Sequence, residues 1–272
     1  MELCEGTLQN YILGELKSIP KNSLDDRNIL GQVTLGLAYI HSKEIIHKDL
    51  KPSNILLWRS SGIKTLVLVK LADFDFAKQS KTSRGDFSAT FRPGTEGYMA
   101  PELLKGMSQN KGQQMRKVLA TVHSDAYSLG ITIGFTVLKG QHSFGNQQMI
   151  RGRVMESGAE PVLLGNLDWD VTDLILRLTR EDPEERPNIS LLIYHPYFVL
   201  ANEKSRAHFA DKIDDYFNLF QSPYEARMTY VNEVKIQEWM QIITSQTERE
   251  TNLDVKKWLE QVNLVYNFHL ST

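Results

Sequence analysis

The 272-residue sequence contains a single cysteine, Cys4, so no internal disulfide can stabilise its fold. It also lacks any run of about 18 uninterrupted apolar residues, and its first ten residues show no basic and apolar signal pattern. Neither sign of charge is in excess, since 31 Lys and Arg oppose 33 Asp and Glu for a formal net charge of -2. We therefore expect a cytoplasmic protein with no membrane segment, no DNA partner and no RNA partner.

The residues that are present have the apolar content and periodicity of a globular fold. Hydrophobic residues make up 41% of the chain and charged residues 24%, enough for a sizeable core in one or two domains. Residues 23–42 have one apolar face at helical spacing, and Ser23 followed by Asp26 predicts a capping box at the helix start. Short strand-like runs follow at 44–47, 54–58 and 65–73.

The second half of the sequence is more helical. Residues 125–140 are apolar nearly all round, which is typical of a fully buried helix when only about 16 residues long. Helical patterns recur at 171–180 and 188–198, and near residue 200 the composition shifts to alternating charged and aromatic residues. We therefore predict a mainly α fold with a few short β-strands, built as a first domain at 1–200 and a helical tail at 201–272.

Two short segments concentrate the side chains that phosphoryl transfer uses. "HKDLKPSN", residues 47–54, lies between two predicted strands, and "ADFD" ends a later one. An aspartate in such a loop can orient a hydroxyl and a nearby lysine can meet a phosphate, while an asparagine and a second aspartate can hold magnesium. These residues are Asp49, Lys51, Asn54 and Asp73. Each alone would be an ordinary loop residue, but their joint spacing favours the functional interpretation.

Together with three later motifs, these segments resemble the larger lobe of eukaryotic protein kinases. The ordered set reads "HKDLKPSN", "ADFD", "PGTEGYMAPE", "SDAYSLG" and "ERP". The resemblance implies a kinase-like fold that transfers phosphate from ATP, with Mg2+, to serine or threonine hydroxyls of a protein substrate. It makes Asp49 and Lys51 catalytic and makes Asn54 and Asp73 the metal ligands.

The same resemblance implies residues that brace the site. The structural residues would be His47, Glu102, Asp125 and Arg186. Glu102 would pair with Arg186, and Asp125 would hydrogen-bond the backbone of the catalytic loop. Without the motif context, Glu102 and Arg186 could equally be solvated surface charges, and His47 a core histidine with satisfied hydrogen bonds.

The resemblance begins at the hinge, so we expect this chain to carry only the larger lobe. ATP would contact Glu2, Cys4, Asn54, Leu56 and Asp73. The sequence has no Gly-x-Gly-x-x-Gly loop and no separate strand lysine with a helix glutamate partner, because Lys70 of "VLVK" runs directly into the "ADFD" turn. We therefore expect a fragment or isoform that needs a missing N-terminal lobe and has little kinase activity alone.

Further stretches are similar to one branch of the kinases. "ELCEGTLQNYI", "PGTEGYMAPELL" and "HSFG" resemble the inositol-requiring kinase-endoribonucleases of the unfolded protein response, and Asp-Phe-Asp resembles the oligoadenylate-dependent endoribonuclease. This branch implies a homodimer on the cytosolic face of the endoplasmic reticulum. "LDVKKWLEQV", residues 253–262, resembles the start of its nuclease module, but the Arg-Asn expected next is missing, so His269 has no catalytic assignment. A pseudokinase scaffold that regulates such a module or a partner is the alternative function.

Two substitutions within the motifs predict altered regulation. Asp75 stands where glycine is usual, so a glycine-like backbone there would cost about 1–3 kcal/mol and restrict the turn. Lys48 replaces an arginine that grips a phosphorylated segment, which predicts softer switching. Candidate phosphosites follow at Ser80, Thr82, Ser83, Ser88 and Thr90, with a solvated polar loop as the alternative.

Overall fold

The computed structural model of the chain describes residues 3–59, 67–79, 95–109, 120–145, 147, 152, 155–192 and 195–199. The chain divides into two compact units, one of residues 1–168 and 172–190 and the other of residues 169–171 and 191–272. The tail predicted at 201–272, with its residues 253–262 and His269, lies outside the described residues. Among the residues that are described, no helix is long and apolar enough to span a membrane.

The described part of the chain is mainly helical with a few short strands, as the sequence predicts. Its helices are α1 (Leu8–Leu13), α2 (Asp26–Ser42), α3 (Pro101–Gln109), α4 (Val122–Val137), α5 (Trp169–Leu178), α6 (Ile189–Leu192) and α7 (Pro196–Val199). Its strands are β1 (Gly6–Thr7), β2 (Ile45–Ile46), β3 (Ile55–Arg59), β4 (Val67–Leu71) and β5 (Lys78–Gln79). Single 3₁₀ turns lie at Pro52–Asn54, Phe74–Phe76, Glu96–Tyr98 and Pro183–Glu185.

Strands β1, β3 and β4 form one antiparallel sheet in the order β1-β3-β4, while β2 pairs with β5. In the β3-β4 register, Ile55 lies opposite Leu71. The start of β3 therefore lies beside the end of β4, and the N–H of Ala72 donates to the carbonyl of Asn54 at 2.9 Å. This register brings the loop that precedes β3 next to the turn that follows β4.

Helix α2 covers the outer edge of this sheet. Gln32 Oε1 accepts the N–H of Val69 at 2.9 Å, and Gln32 Nε2 lies 3.3 Å from the carbonyl of Val67. The side-chain amide thus bonds the edge of β4 as a neighbouring strand would, which satisfies backbone groups that could otherwise pair with another chain.

The apolar face predicted for α2 is buried, but the predicted start of the helix is wrong. Helix α2 begins at Asp26, and its N-cap is Asp25, whose side chain accepts the N–H of Arg27 at 3.1 Å. Ser23 instead donates its hydroxyl to the carbonyl of Pro20 at 2.6 Å. The spacing of Ser23 and Asp26 matches a capping box, but a local turn at Pro20 takes the Ser23 hydroxyl first.

Helix α4 is buried along almost its whole length, as its apolar composition predicts. It starts three residues earlier than predicted because Thr121 and Ser124 form a capping box. It ends at Val137, before two residues with positive φ, Lys139 and Gly140. The helix lies in a core cluster formed by Met99, Ala100, Leu103, Leu104, Tyr127, Ile131, Phe144 and Met155.

Candidate active site

The loop of residues 47–54 is fixed to helix α4 through one buried carboxylate. Asp125 Oδ2 accepts the N–H of His47 and Asp125 Oδ1 that of Lys48, each at 2.8 Å. Oδ2 also lies 2.9 Å from Nε2 of His41. Because Asp125 is 0% exposed, these donors replace the water that its charge has lost. They also hold Lys48 at a φ of 69°, a left-handed angle that is strained for a lysine.

Donors from three residues hold the carboxylate of Asp49. Its Oδ2 accepts Lys51 Nζ at 2.6 Å and Asn54 Nδ2 at 3.0 Å, and its Oδ1 accepts the N–H and the hydroxyl of Thr95, both at 2.9 Å. Burial raises the pKa of Asp49, but the hydrogen bonds from Lys51 and Thr95 and the Lys51 charge together lower it below the usual 3.8. The carboxylate is therefore ionised and oriented near neutral pH.

Thr95 is a site residue that the sequence analysis missed. It gives Asp49 two hydrogen bonds, and its hydroxyl also accepts Lys51 Nζ at 2.5 Å. The signal for it was present in "PGTEGYMAPE", where Thr95 is the only side-chain hydroxyl before the tyrosine. Nothing in that local pattern shows that the hydroxyl reaches the catalytic loop, because the contact depends on tertiary structure.

Asn54 and Asp73 lie at adjacent positions, as the register of β3 and β4 dictates. Asn54 is 8% exposed, and its Nδ2 donates to both the carbonyl and Oδ2 of Asp49. These bonds use the amide nitrogen of the Asn54 side chain and leave its amide oxygen, Oδ1, as the atom not used for Asp49. Asp73 follows Ala72, which is bonded to Asn54, and its side chain is exposed. The bond between Ala72 and Asn54 thus brings the backbone of Asp73 next to that of Asn54, whose side chain contacts Asp49.

The backbone strain expected at Asp75 is instead at Asp73. Asp73 has φ 62° and ψ 67°, whereas Asp75 lies in the 3₁₀ turn Phe74–Phe76 and has no positive φ. The expectation for Asp75 assumed that the residue after the phenylalanine needs a glycine-like angle. In this turn that angle falls two residues earlier, and aspartate tolerates it better than most residues do.

His47 is completely buried and joins the loop to the turn that follows β4. Its Nε2 lies 3.1 Å from the carbonyl oxygen of Ala72 and donates to it, since a carbonyl oxygen can only accept. Its ring centroid lies 5.0 Å from that of Phe74. These contacts tie the backbone before Asp73 to the backbone before Asp49.

Glu102 and Arg186 form a bidentate ion pair away from the loop. Arg186 Nη1 and Nη2 donate to the two carboxylate oxygens of Glu102 at 2.8 Å each. Arg186 is 2% exposed, and its Nη1 also donates to the carbonyl of His123 in α4. The pair therefore ties α3 to the start of the helix that carries Asp125.

Two of the residues assigned to ATP, Cys4 and Leu56, are placed near one another by the sheet. Thr7 lies opposite Leu56 in the β1-β3 pair, and the N–H of Glu5, next to Cys4, donates to the carbonyl of Leu57 at 2.8 Å. Cys4 and Leu56 are half-buried. Glu2 and the candidate phosphosites Ser80, Thr82, Ser83, Ser88 and Thr90 lie outside the described residues.

Comparison with known proteins identifies the family of this chain. A model of the protein kinase domain matches residues 1–198. The chain belongs to the protein kinase domain family. Its relatives include the serine/threonine-protein kinase/endoribonuclease IRE2 of Homo sapiens, 32% identical over 73% of this chain and 21% of the relative. The chain is also similar to the serine/threonine-protein kinase/endoribonuclease ire-1 of Caenorhabditis elegans. The two are 29% identical over 79% of this chain and 21% of the relative.

A third relative shows that the similarity is not limited to kinase-endoribonucleases. The serine/threonine-protein kinase PLK4 of Drosophila virilis is 31% identical over 74% of this kinase domain chain and 23% of the relative. The chain spans about a fifth of the length of the kinase-endoribonucleases that it matches, 21% in each of the two described above.

The kinase domain family generally uses ATP and Mg2+, and the donor set of this chain fits the metal. Mg2+ prefers oxygen ligands and is usually held by one or two carboxylates together with substrate phosphates. The side-chain amide oxygen Oδ1 of Asn54 and the Asp73 carboxylate are ligands of that kind. Among the described residues, no three His, Cys, Asp or Glu side chains converge as a metal site of their own. The nucleotide phosphates would therefore complete the coordination.

Proposed function

We propose that this protein takes part in Ser/Thr protein kinase-type phosphoryl transfer from ATP to hydroxyls of a protein substrate. The observation that carries the proposal is the ionised carboxylate of Asp49, held by Lys51, Asn54 and Thr95. A fixed carboxylate with a lowered pKa can accept a hydrogen bond from an incoming hydroxyl and orient it for attack. Lys51 Nζ, 2.6 Å from that carboxylate, can neutralise charge on the transferring phosphate.

Asn54 and Asp73 would hold magnesium at this site. When bound, the metal neutralises phosphate charge. The chain's own contribution is to keep the two ligands in place through the bond between Ala72 and Asn54 and through the strained backbone of Asp73. Leu56 and Cys4, with Glu2 outside the described residues, would contact the adenine.

We propose that residues 1–200 form the larger lobe of the kinase domain and that an upstream nucleotide-binding segment completes the site. The 272-residue sequence has no glycine-rich loop that could cover the phosphates. In addition, the ring of Phe74, next to Asp73, packs on His47 yet remains 43% exposed. Such an apolar side chain beside a proposed metal ligand supports a covering segment.

By the resemblance, residues 201–272 would be a helical tail of the endoribonuclease type, truncated or divergent. The names of the human and Caenorhabditis elegans relatives include an endoribonuclease, which supports this proposal for the tail. A homodimer on the cytosolic face of the endoplasmic reticulum would follow from the same relationship.

Phosphotransfer assays on two forms of the protein test the proposed function. The 272-residue chain alone should show no appreciable turnover, because phosphates left open to water are poorly stabilised. A longer form that includes a glycine-rich loop and strand lysine upstream of Met1 should phosphorylate serine or threonine in a Mg2+-dependent reaction. Robust turnover by the short chain would overturn the need for the upstream segment.

Nucleotide binding by the longer form also distinguishes a kinase from a pseudokinase scaffold. Saturating Mg-ATP should raise its melting temperature, since occupancy at about 100 times Kd stabilises a fold by about 2.7 kcal/mol. Binding without any transfer to protein would contradict the kinase proposal and favour a nucleotide-responsive scaffold.

A further inference from the structure

His142 is a buried histidine that none of the assignments above uses. It follows helix α4 and is 2% exposed. Its Nε2 lies 2.6 Å from the carbonyl oxygen of Gly97, and its Nδ1 accepts the N–H of Phe144 at 3.2 Å. Its ring contacts Tyr98 edge-on, with 5.8 Å between centroids.

The two backbone partners fix the protonation state of His142. A carbonyl oxygen can only accept a hydrogen bond, so Nε2 carries a proton. A backbone N–H can only donate, so Nδ1 carries a lone pair. Nε2 of His142 therefore donates to the turn at Gly97, while Nδ1 accepts the backbone N–H of Phe144 in its own segment.

The segment that carries His142 is held rigidly. Ser143 packs so closely on Gly134 of α4 that a Cβ there would collide with the Ser143 side chain. The carbonyl of Ser143 accepts the N–H groups of Val162 and Leu163 at 3.0 and 3.2 Å. His142 thus extends from a fixed part of the core rather than from a loosely attached loop.

On its other side, His142 holds the turn that presents Thr95 to Asp49. The Thr95 carbonyl accepts the N–H of Tyr98 at 2.8 Å, which closes the turn around Gly97. Ser128 of α4 donates to the carbonyl of Tyr98 at 2.7 Å. Two successive carbonyls of the turn, those of Gly97 and Tyr98, are therefore anchored by side chains of one region of the core.

We propose that His142 is a positioning residue that keeps Thr95 on Asp49 by donating to the Gly97 carbonyl. Its catalytic consequence rests on the proposed function, whereas the contact itself does not. His142 does not touch Asp49, and it acts through the backbone of the turn. Loss of the donor leaves a carbonyl of the turn without its core partner, and Thr95 then holds the Asp49 carboxylate less firmly.

Two substitutions separate the two contacts of His142. His142→Gln retains an amide N–H near the position of Nε2, and His142→Asn retains an acceptor oxygen near the position of Nδ1. We therefore expect the glutamine to preserve the bond to Gly97 and the asparagine to lose it. His123→Asn serves as a matched control, because His123 is a mostly buried histidine of α4 whose Nε2 lies 4.0 Å from Oε1 of Glu184.

The first readout is amide hydrogen exchange at Thr95 in the full chain, followed by NMR with Leu37 of helix α2 as reference. We expect exchange at Thr95 to accelerate about tenfold in His142→Asn and to stay within about threefold of wild type in His142→Gln and His123→Asn. Exchange at Leu37 should not change. Equal behaviour of the asparagine and glutamine variants, or an equal change at Leu37, would overturn the positioning role.

The second readout is kinetic and uses the longer form with its nucleotide-binding segment. His142→Asn should lower kcat about tenfold while the KM for ATP stays constant, and His142→Gln should restore kcat. Loss in both variants, or a parallel change in KM, would overturn the positioning role. If the wild type transfers no phosphate while the exchange pattern holds, the proposed function fails but the contact of His142 with the Thr95 turn is supported.

Discussion

The backbone N–H of Lys48 donates to Oδ1 of Asp125 at 2.8 Å, and Lys48 itself has a φ of 69°. A left-handed backbone costs a lysine roughly 1–2 kcal/mol, so this hydrogen bond holds a conformation that the residue does not favour. Asp125 also accepts the N–H of His47, so a single buried carboxylate shapes the backbone immediately before Asp49. The position of the proposed catalytic aspartate therefore depends on helix α4.

Replacing Asp125 by alanine should strongly destabilise the protein. The substitution leaves two backbone N–H groups and His41 without their buried acceptor, and we expect the free energy of unfolding to fall by about 3 kcal/mol. Urea denaturation followed by circular dichroism measures the change. Asp26→Ala is the matched control, because its ion-pair partner Lys139 is 49% exposed and the pair should contribute less than about 1 kcal/mol. Equal losses in the two variants would contradict the role of Asp125.

The Lys48→Gly variant of the protein should be more stable than the Lys48→Ala variant. Both substitutions remove the lysine side chain, so the comparison isolates the backbone. Glycine reaches a φ of 69° without a steric penalty, and we expect Lys48→Gly to exceed Lys48→Ala in stability by about 1 kcal/mol. Thermal or urea unfolding of the two variants measures the difference. A more stable alanine variant would show that the left-handed angle is not maintained in solution.

At Asp75 we expect the opposite order, with the glycine variant less stable than the alanine variant. Asp75 lies in a 3₁₀ turn without a positive φ, so glycine brings no relief and adds only unfolded-state freedom. We expect Asp75→Gly to be about 0.5–1 kcal/mol less stable than Asp75→Ala, with nucleotide affinity of the longer form within severalfold of wild type in both. A stabilising glycine would support the strain first expected from the sequence.

Lys51 should determine how strongly the ionisation of Asp49 makes the free energy of unfolding depend on pH. The pKa of Asp49 is lower when folded than when unfolded, so its contribution is present above the unfolded value of about 3.9 and is lost as the pH falls through the lowered folded value. Lys51→Met removes one cause of the lowering while burial still raises the pKa. The free energy of unfolding should therefore fall less steeply between about pH 5 and pH 3 in Lys51→Met than in wild type.

The control for this pH dependence is Lys105→Met. Lys105 pairs with Glu181 at 2.5 Å, but both side chains are exposed, at 40% and 54%. Its removal should leave the slope of stability against pH close to that of wild type, because exposed pairs are screened. Equal slopes for wild type and Lys51→Met would contradict the inference that Lys51 lowers the pKa of Asp49.

The sequence located the parts of the site that depend on local order along the chain. The motif around Asp49, the strand end at Asp73 and the buried helix α4 follow from spacing and apolar periodicity, and the register of β3 and β4 explains why two distant segments meet. Sequence patterns did not reveal Thr95 or His142, because each acts through contacts with residues far away in the chain. They also misplaced the helix start at Ser23, where two local hydrogen-bonding patterns compete.

The most direct measurement compares Asp49→Asn with wild type in the longer form that contains the upstream nucleotide-binding segment. Asparagine keeps the size of the side chain but cannot offer the charged acceptor that Lys51 and Thr95 now orient. We expect Mg-ATP affinity to stay within severalfold while the rate of phosphate transfer to protein serine or threonine falls about 100-fold or more. Equal transfer rates for the two proteins would contradict the central role of Asp49.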